Sequence, residues 1–337
     1  MSSLRFWSIL GVSSALLLVG ACSDDDDDSP ARAGAAGAAP GAGGAGGEAG
    51  RPAGASGEAG RPAGAGGAAG PAYTFKKVDG FRAPESCYWD EERQVWYVSN
   101  IDATSADLTQ PDGSGWISRL DPEGNVLEPK WVEGLDTPAG LRLLNGRLYV
   151  ANIDEVVGID VATATVAERV AAPGATLLND PDTDGEYVYV TDTFGNKIYR
   201  FRPGGAAEVF LESPDLRGPN GLLVDGGGLF VASVVDFTSP AQAPFLRVDL
   251  ATKRIEPFGS ASGKFDGIEK DGATYLLSDN PTGRILRVAA DGSFEVEYDL
   301  KADQGLQAIN DIGFAPSRNV LCVPDLTGNS VSFLAKK

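Results

Sequence analysis

The chain has 337 residues, carries 47 acidic against 28 basic side chains for a net charge of −19, and contains no histidine. The missing imidazole excludes Ser-His-Asp and Cys-His nucleophile systems and imidazole zinc sites, leaving carboxylates, carboxamides and carbonyls, the natural ligands of a hard cation such as Ca²⁺. So acidic a surface repels phosphate backbones, which argues against nucleic acid as a partner and favours cations.

In chain order, Met1 to Arg5 form a short basic start. The apolar run from Phe6 to Leu18, broken by Ser8, Ser13 and Ser14, is too short to span a bilayer. It reads as a secretory signal that ends at Val19-Gly20-Ala21-Cys22. This ending resembles a bacterial lipoprotein signal. The resemblance implies that residues 1–21 are removed, that Cys22 is lipidated, and that the protein sits in the cell envelope, on the periplasmic face or the cell surface. Its membrane contact would then be through the lipid only; ordinary secretion with cleavage nearby is the alternative. Residues 22–72 hold five consecutive aspartates and then little but Gly, Ala and Pro, a composition that cannot offset chain entropy by burial. A disordered linker is expected there, with a reach on the order of 40 Å.

From residue 73 onward a unit recurs six times. Short polar stations, Pro84-Glu85, Pro138-Ala139-Gly140, Leu178-Asn179-Asp180, Pro219-Asn220-Gly221, Phe265-Asp266-Gly267 and Asn310-Asp311-Ile312, are each followed by an apolar strand about eleven residues on. Those strands are Trp96 to Asn100, Leu148 to Asn152, Val188 to Thr193, Leu229 to Ser233, Tyr275 to Asp279 and Leu321 to Asp325. Spacings of roughly 40 to 54 residues are those of four-stranded propeller blades. The reading is therefore all-β: a six-bladed β-propeller over residues 73–337. Third strands recur as Gly115 to Leu120, Asn196 to Phe201 and Gly283 to Val288, each with an arginine read as facing outward. Tyr73 to Val78 is an additional strand, expected to close the ring beside Ser330 to Leu334. Residues 101–114 are the longest insertion, read as a surface loop or as part of the rim of the site. Cys87 and Cys322 lie in apolar strands and are open to two readings, a disulfide or two buried thiols.

Equivalent positions in a propeller converge on one axis, which makes Glu85, Asn179, Asn220, Asp266 and Asp311 candidates for a central site. Taken singly, Asn-Asp and Asn-Gly are common turn pairs that satisfy local backbone groups. At matched blade positions they point to a site. Glu85 and Asp266 brought together would resist ionisation without a cation, and a divalent ion would neutralise both.

Glu85 before Tyr88-Trp89-Asp90, Asn179-Asp180 before Asp182, Pro219-Asn220-Gly221 and Asp266-Gly267 together resemble the regucalcin and gluconolactonase family of six-bladed propellers, over residues 80–335. The resemblance implies a divalent metal held by Glu85, Asn220 and Asp266, Ca²⁺ first, with Mn²⁺, Mg²⁺ or Zn²⁺ as alternatives. It further implies Asn179 in contact with substrate or a metal-bound water; lactonase chemistry would then call on Asp266 as general base. The family's sugar lactonases carry an arginine two residues before that asparagine. Leu177 stands there in this chain, which counts against sugar lactones. Asp311 and Asn310 either line the channel, where they could orient the attacking water, or close a turn, with the turn favoured for Asn310. The expected function is a metal-dependent hydrolase of the lactonase or esterase type, monomeric, acting on a small molecule. The rival is a non-catalytic, metal-stabilised propeller that binds a protein or small ligand.

Overall fold

The computed structural model describes residues 73–102 and 107–336, so the signal, Cys22 and the linker lie outside the described residues. Among those residues no helix is long and apolar enough to cross a membrane.

Six four-stranded antiparallel sheets make up the described domain, five of them laid down strand by neighbouring strand and the sixth completed by the first strand. Their innermost strands are Pro84–Asp90, Pro138–Leu144, Leu178–Thr183, Pro219–Asp225, Phe265–Asp271 and Gly313–Ala315. This is the six-bladed propeller expected from the repeat. The second strands fall within a residue or so of the expected spans, as Val95–Asn100, Arg147–Asn152, Val188–Asp192, Gly228–Ser233, Thr274–Asp279 and Val320–Asp325.

Ring closure follows the sequence reading. Tyr73–Asp79 pairs with Ser330–Lys336 along its whole length, from Tyr73 opposite Lys336 to Asp79 opposite Ser330, and so forms the outermost strand of the sixth sheet. The first and last segments of the domain are thereby zipped together, and two sheet edges become one pair. A disulfide adds a second clasp. Cys87, on the inner strand of blade one, is bonded to Cys322 on the second strand of blade six, across a sequence separation of 235 residues.

Apolar burial lies between blades. Tyr97, Ile117 and Leu135 of blade one pack with Leu148, Val150 and Val157 of blade two. Phe230 and Phe245 of blade four pack with Phe265, Tyr275 and Leu277 of blade five, with the Phe230 and Tyr275 rings 4.5 Å apart. Alternate residues of each strand face one neighbouring sheet or the other, so the stability arises in six wedges. Each fully buried aromatic or aliphatic side chain contributes roughly 1.5–3 kcal/mol. The axis is left to side chains that the wedges do not need.

On the outer strands, arginines pair with carboxylates of the adjacent strand. Arg200 lies 2.7 Å from Glu208, Arg284 3.0 Å from Asp299 and Arg287 2.9 Å from Glu297, while Arg119 pairs with Glu128. These include the third-strand arginines read as outward-facing. The described part of the 101–114 insertion folds against the start of blade two, where the Thr137 hydroxyl donates to the Leu108 carbonyl at 2.9 Å.

Candidate functional site

A single backbone device sets the site. In blades one to five the inner strand opens with a bulge: its pairing to the second strand jumps between Pro84 and Cys87, Pro138 and Leu141, Leu178 and Pro181, Pro219 and Leu222, and Phe265 and Ile268. Blade six does the same between the Ile309–Asp325 bridge and the Gly313–Cys322 pair. A bulge releases residues from the ladder and re-aims their side chains. The first released residue is Glu85, Ala139, Asn179, Asn220, Asp266 or Asn310; the second is Ser86, Gly140, Asp180, Gly221, Gly267 or Asp311.

Hydroxyls on the second strands catch the backbone groups that the bulges free. Ser86 N–H donates to Ser99 Oγ at 3.0 Å, Asp180 N–H to Thr191 Oγ1 at 3.0 Å and Gly267 N–H to Ser278 Oγ at 2.8 Å. Two of these hydroxyls then donate to the bulge of the next blade, Thr191 to the Asn220 carbonyl at 2.6 Å and Ser278 to the Asn310 carbonyl at 3.0 Å. The bulges are thus latched to one another around the hub. Contact there is close. A β-carbon on Gly140 would fall 2.1 Å from Asp180 Oδ1, and one on Gly267 2.4 Å from Asp311 Oδ1. Glycine at these two positions makes the room that the carboxylates of the following blades occupy.

Glu85, Asn179, Asn220 and Asp266 therefore occupy equivalent positions on four blades, and all four are buried. In blade six that position belongs to Asn310, not Asp311. Asn280 ties it to the ring, with Nδ2 at 3.3 Å from Asp266 Oδ2 and 3.2 Å from Asn310 Oδ1. Asp311 sits one residue further on and accepts a hydrogen bond from the Ser86 hydroxyl. At that position blade two offers only the methyl of Ala139.

Charge at the hub is one-sided. Burial and then the nearby Asp266 and Asp311 push the Glu85 carboxyl well above its ordinary range. Burial and then Asp311, Glu85 and Asp266 do the same to Asp180. Asp266 is pushed up to about 8 by burial and Asp311. Asp311 rises to about 7 through burial, against the Ser86 hydrogen bond and Arg142. Beyond the bulges, at equivalent places in their strands, come Tyr88, Arg142, Asp182 and Glu269. Burial raises Glu269 to about 8, with Arg142 opposing. Arg142 is the cation these carboxylates share: its Nε lies 3.0 Å from Asp182 Oδ1, although not aligned as a hydrogen bond, and its guanidinium stands 5.3 Å from the centre of the Tyr88 ring.

Five buried oxygens at this hub have no hydrogen-bond partner in the protein: Glu85 Oε2, Asn179 Oδ1, Asp180 Oδ1, Asn220 Oδ1 and Asp266 Oδ1. Buried acceptors are normally paired, so five on adjoining bulges mark a place built to receive a donor or a cation. Among the described residues no group of three or more Asp, Glu, His or Cys side chains converges in a metal-holding arrangement. The open oxygens here are a mixed set of carboxylates and carboxamides.

Asp180, Asn310, Arg142, Glu269 and Asn280 were not singled out as site residues from sequence. Asp180 did leave a signal, since it fills a station position that is glycine in blades two, four and five. Arg142 left another, as the one charge in the apolar inner strand Pro138–Leu144.

No protein-family model matches the chain, and no curated protein matches it. Solved structures do. A gluconolactonase of Xanthomonas campestris superposes with a TM-score of 0.55 at 17% identity, over 77% of this chain and 88% of that one. A streptogramin B lyase matches with a TM-score of 0.53 at 13% identity, over 79% and 98%. The β-propeller domain of a Myceliophthora thermophila Cps50 (Swd1) matches with a TM-score of 0.52 at 10% identity, over 78% and 98%. At these identities the likeness is one of fold, and the three names show how little the fold alone decides about chemistry.

Proposed function

We propose that the hub binds a divalent cation and that the protein is a hydrolase of the lactonase or esterase type. The five unpartnered buried oxygens carry the reading. Glu85, Asn220 and Asp266 would hold the ion, with Asn179 and Asp180 beside them. Oxygen-only donors suit Ca²⁺ first and Mg²⁺ or Mn²⁺ next. The structural likeness to a gluconolactonase supports the same class of reaction.

When bound, the ion supplies Lewis-acid polarisation of an ester carbonyl and neutralises the crowded carboxylates. The remaining work falls to side chains of this chain. Asp266, whose Oδ1 has no partner in the protein, would take the proton from an attacking water once the ion holds it ionised. Asn280 holds its second oxygen, Oδ2, and so fixes the direction in which Oδ1 points. The Asn179 amide is oriented by Thr193 Oγ1, 3.4 Å from Nδ2, which leaves Oδ1 turned to the ligand side. Leu177 is buried, where the family's sugar lactonases carry an arginine, so the substrate is an ester or lactone without a sugar's dense hydroxyls.

Titrating the full chain with Ca²⁺ by calorimetry, alongside a lactone panel with Ca²⁺, Mn²⁺ or Zn²⁺, tests both halves. Asp266→Asn should lower turnover by about 10²-fold or more, with the fold intact by circular dichroism. Metal binding with no turnover on any lactone or simple ester would leave a ligand-binding propeller.

A further inference from the structure

Beside the hub, between blades four and five, lies a cleft of about 310 Å³ lined in part by Thr238, Pro240, Gln242, Lys264, Pro281 and Thr282. That is at the small end of the roughly 300–1,000 Å³ usual for ligand pockets. Two covalent routes connect it to the candidate site. Lys264 stands two residues before Asp266, and Pro281 follows Asn280, whose amide bridges Asp266 and Asn310. A ligand whose reacting ester lies over Asp266 would therefore reach the cleft with its substituent.

The polar side chains of the cleft are mostly occupied within the protein. Asp279 accepts from Lys264 N–H at 3.1 Å and from Thr282 Oγ1 at 2.7 Å. The Lys264 ammonium donates to the Asp236 carbonyl at 3.1 Å, and Ser239 Oγ accepts from Ala241 N–H at 3.0 Å. What the walls offer a ligand is two proline rings and the methyl groups of threonine, with the Gln242 amide and spare donors on Lys264 as the polar exceptions. An aromatic pair flanks the same loop: Phe237, 36% exposed, meets Phe194 edge to face at 5.7 Å. Phe194 follows Thr193, the residue that orients Asn179. Exposed aromatic surface next to a ligand site commonly receives apolar groups.

We infer that the cleft is a specificity subsite that seats a neutral alkyl or aryl arm of the substrate, so that the ester or lactone acted on carries such an arm. This rests on the hydrolase reading for which part of the ligand lies over Asp266. The class is opposite to a sugar lactone, whose hydroxyls would find few free partners here and would lose hydration on entering.

The test uses the full chain with Ca²⁺ and two ring amides that resist hydrolysis, butyrolactam and its γ-pentyl derivative, measured by calorimetry. Turnover of γ-butyrolactone and γ-nonalactone is followed in parallel. The pentyl derivative should bind at least about tenfold more tightly than the bare ring, as expected for a few buried methylenes. Ser239→Trp and Thr282→Trp, which fill the cleft from opposite walls, should each abolish that preference while leaving binding of the bare ring unchanged. Equal binding of both amides to the natural protein, or a preference that survives both substitutions, overturns the subsite. A tail preference without turnover of either lactone supports the subsite and removes the hydrolase reading. Turnover of both lactones with no tail preference does the reverse.

Discussion

The outer strands and the hub handle charge in opposite ways. At the rim, arginines such as Arg200, Arg284 and Arg287 each have a carboxylate across the strand pair, and most of these groups reach solvent. At the hub, Glu85, Asp180, Asp182 and Asp266 are buried and Glu269 and Asp311 half-buried, with one arginine, Arg142, among them. Matched pairs in water contribute little to stability and need no further partner. Unmatched charges in a low dielectric are costly, and a chain that keeps them does so for something they bind.

Removing the one hub cation should break the comparison most severely. Arg142→Met leaves Asp182 and Glu269 buried without their counter-charge, and a loss of about 3–5 kcal/mol is expected from urea unfolding. The loss should be larger at pH 8 than at pH 5, where protonation relieves the carboxylates. Opening the covalent clasp comes next. Cys87→Ala with Cys322→Ala frees a loop of more than two hundred residues and should cost about 2–5 kcal/mol, read as a lower thermal midpoint.

A divalent ion should sharpen the comparison. Asp266, Glu269 and Asp311 hold protons in the fold up to about 8, 8 and 7, which the unfolded chain releases near pH 4. The folded state binds more protons between those limits, so the metal-free protein should lose stability steadily as pH rises from about 4 to about 8. Ca²⁺ at a hundred times its dissociation constant should restore about 2.7 kcal/mol at pH 8 and flatten the profile. A metal-free profile that rises with pH over this range would contradict the unmatched hub. At the rim, Arg284→Gln should change stability by no more than about 1 kcal/mol, because the pair it breaks is half exposed.

Blade number, strand order and ring closure were legible because the period repeats six times and each strand carries its own apolar signature. Glu85, Asn179, Asn220 and Asp266 were legible because each sits at the same place in its station. At the sixth station the residue equivalent to Glu85 is Asn310, and Asp311 meets the hub from the next position. Its bulge is set by Ile309 bridging Asp325, a pairing without a sequence signature, and the carboxylate of Asp311 drew attention from Asn310. Asp182 and Glu269 were hidden for a related reason. Three residues past a bulge, they look like ordinary half-exposed strand positions until the bulge decides which way the strand faces. The cysteine pairing depends on ring closure, since nothing local relates residues 235 apart.

The first described strand, Tyr73–Asp79, lies on the circumference of the disc, paired over its full length with the final strand. Both ends of the described domain, at Tyr73 and Lys336, therefore lie on the tread of the wheel, not at its axle. A reporter fused after Lys337 would sit at that edge, clear of the mouth.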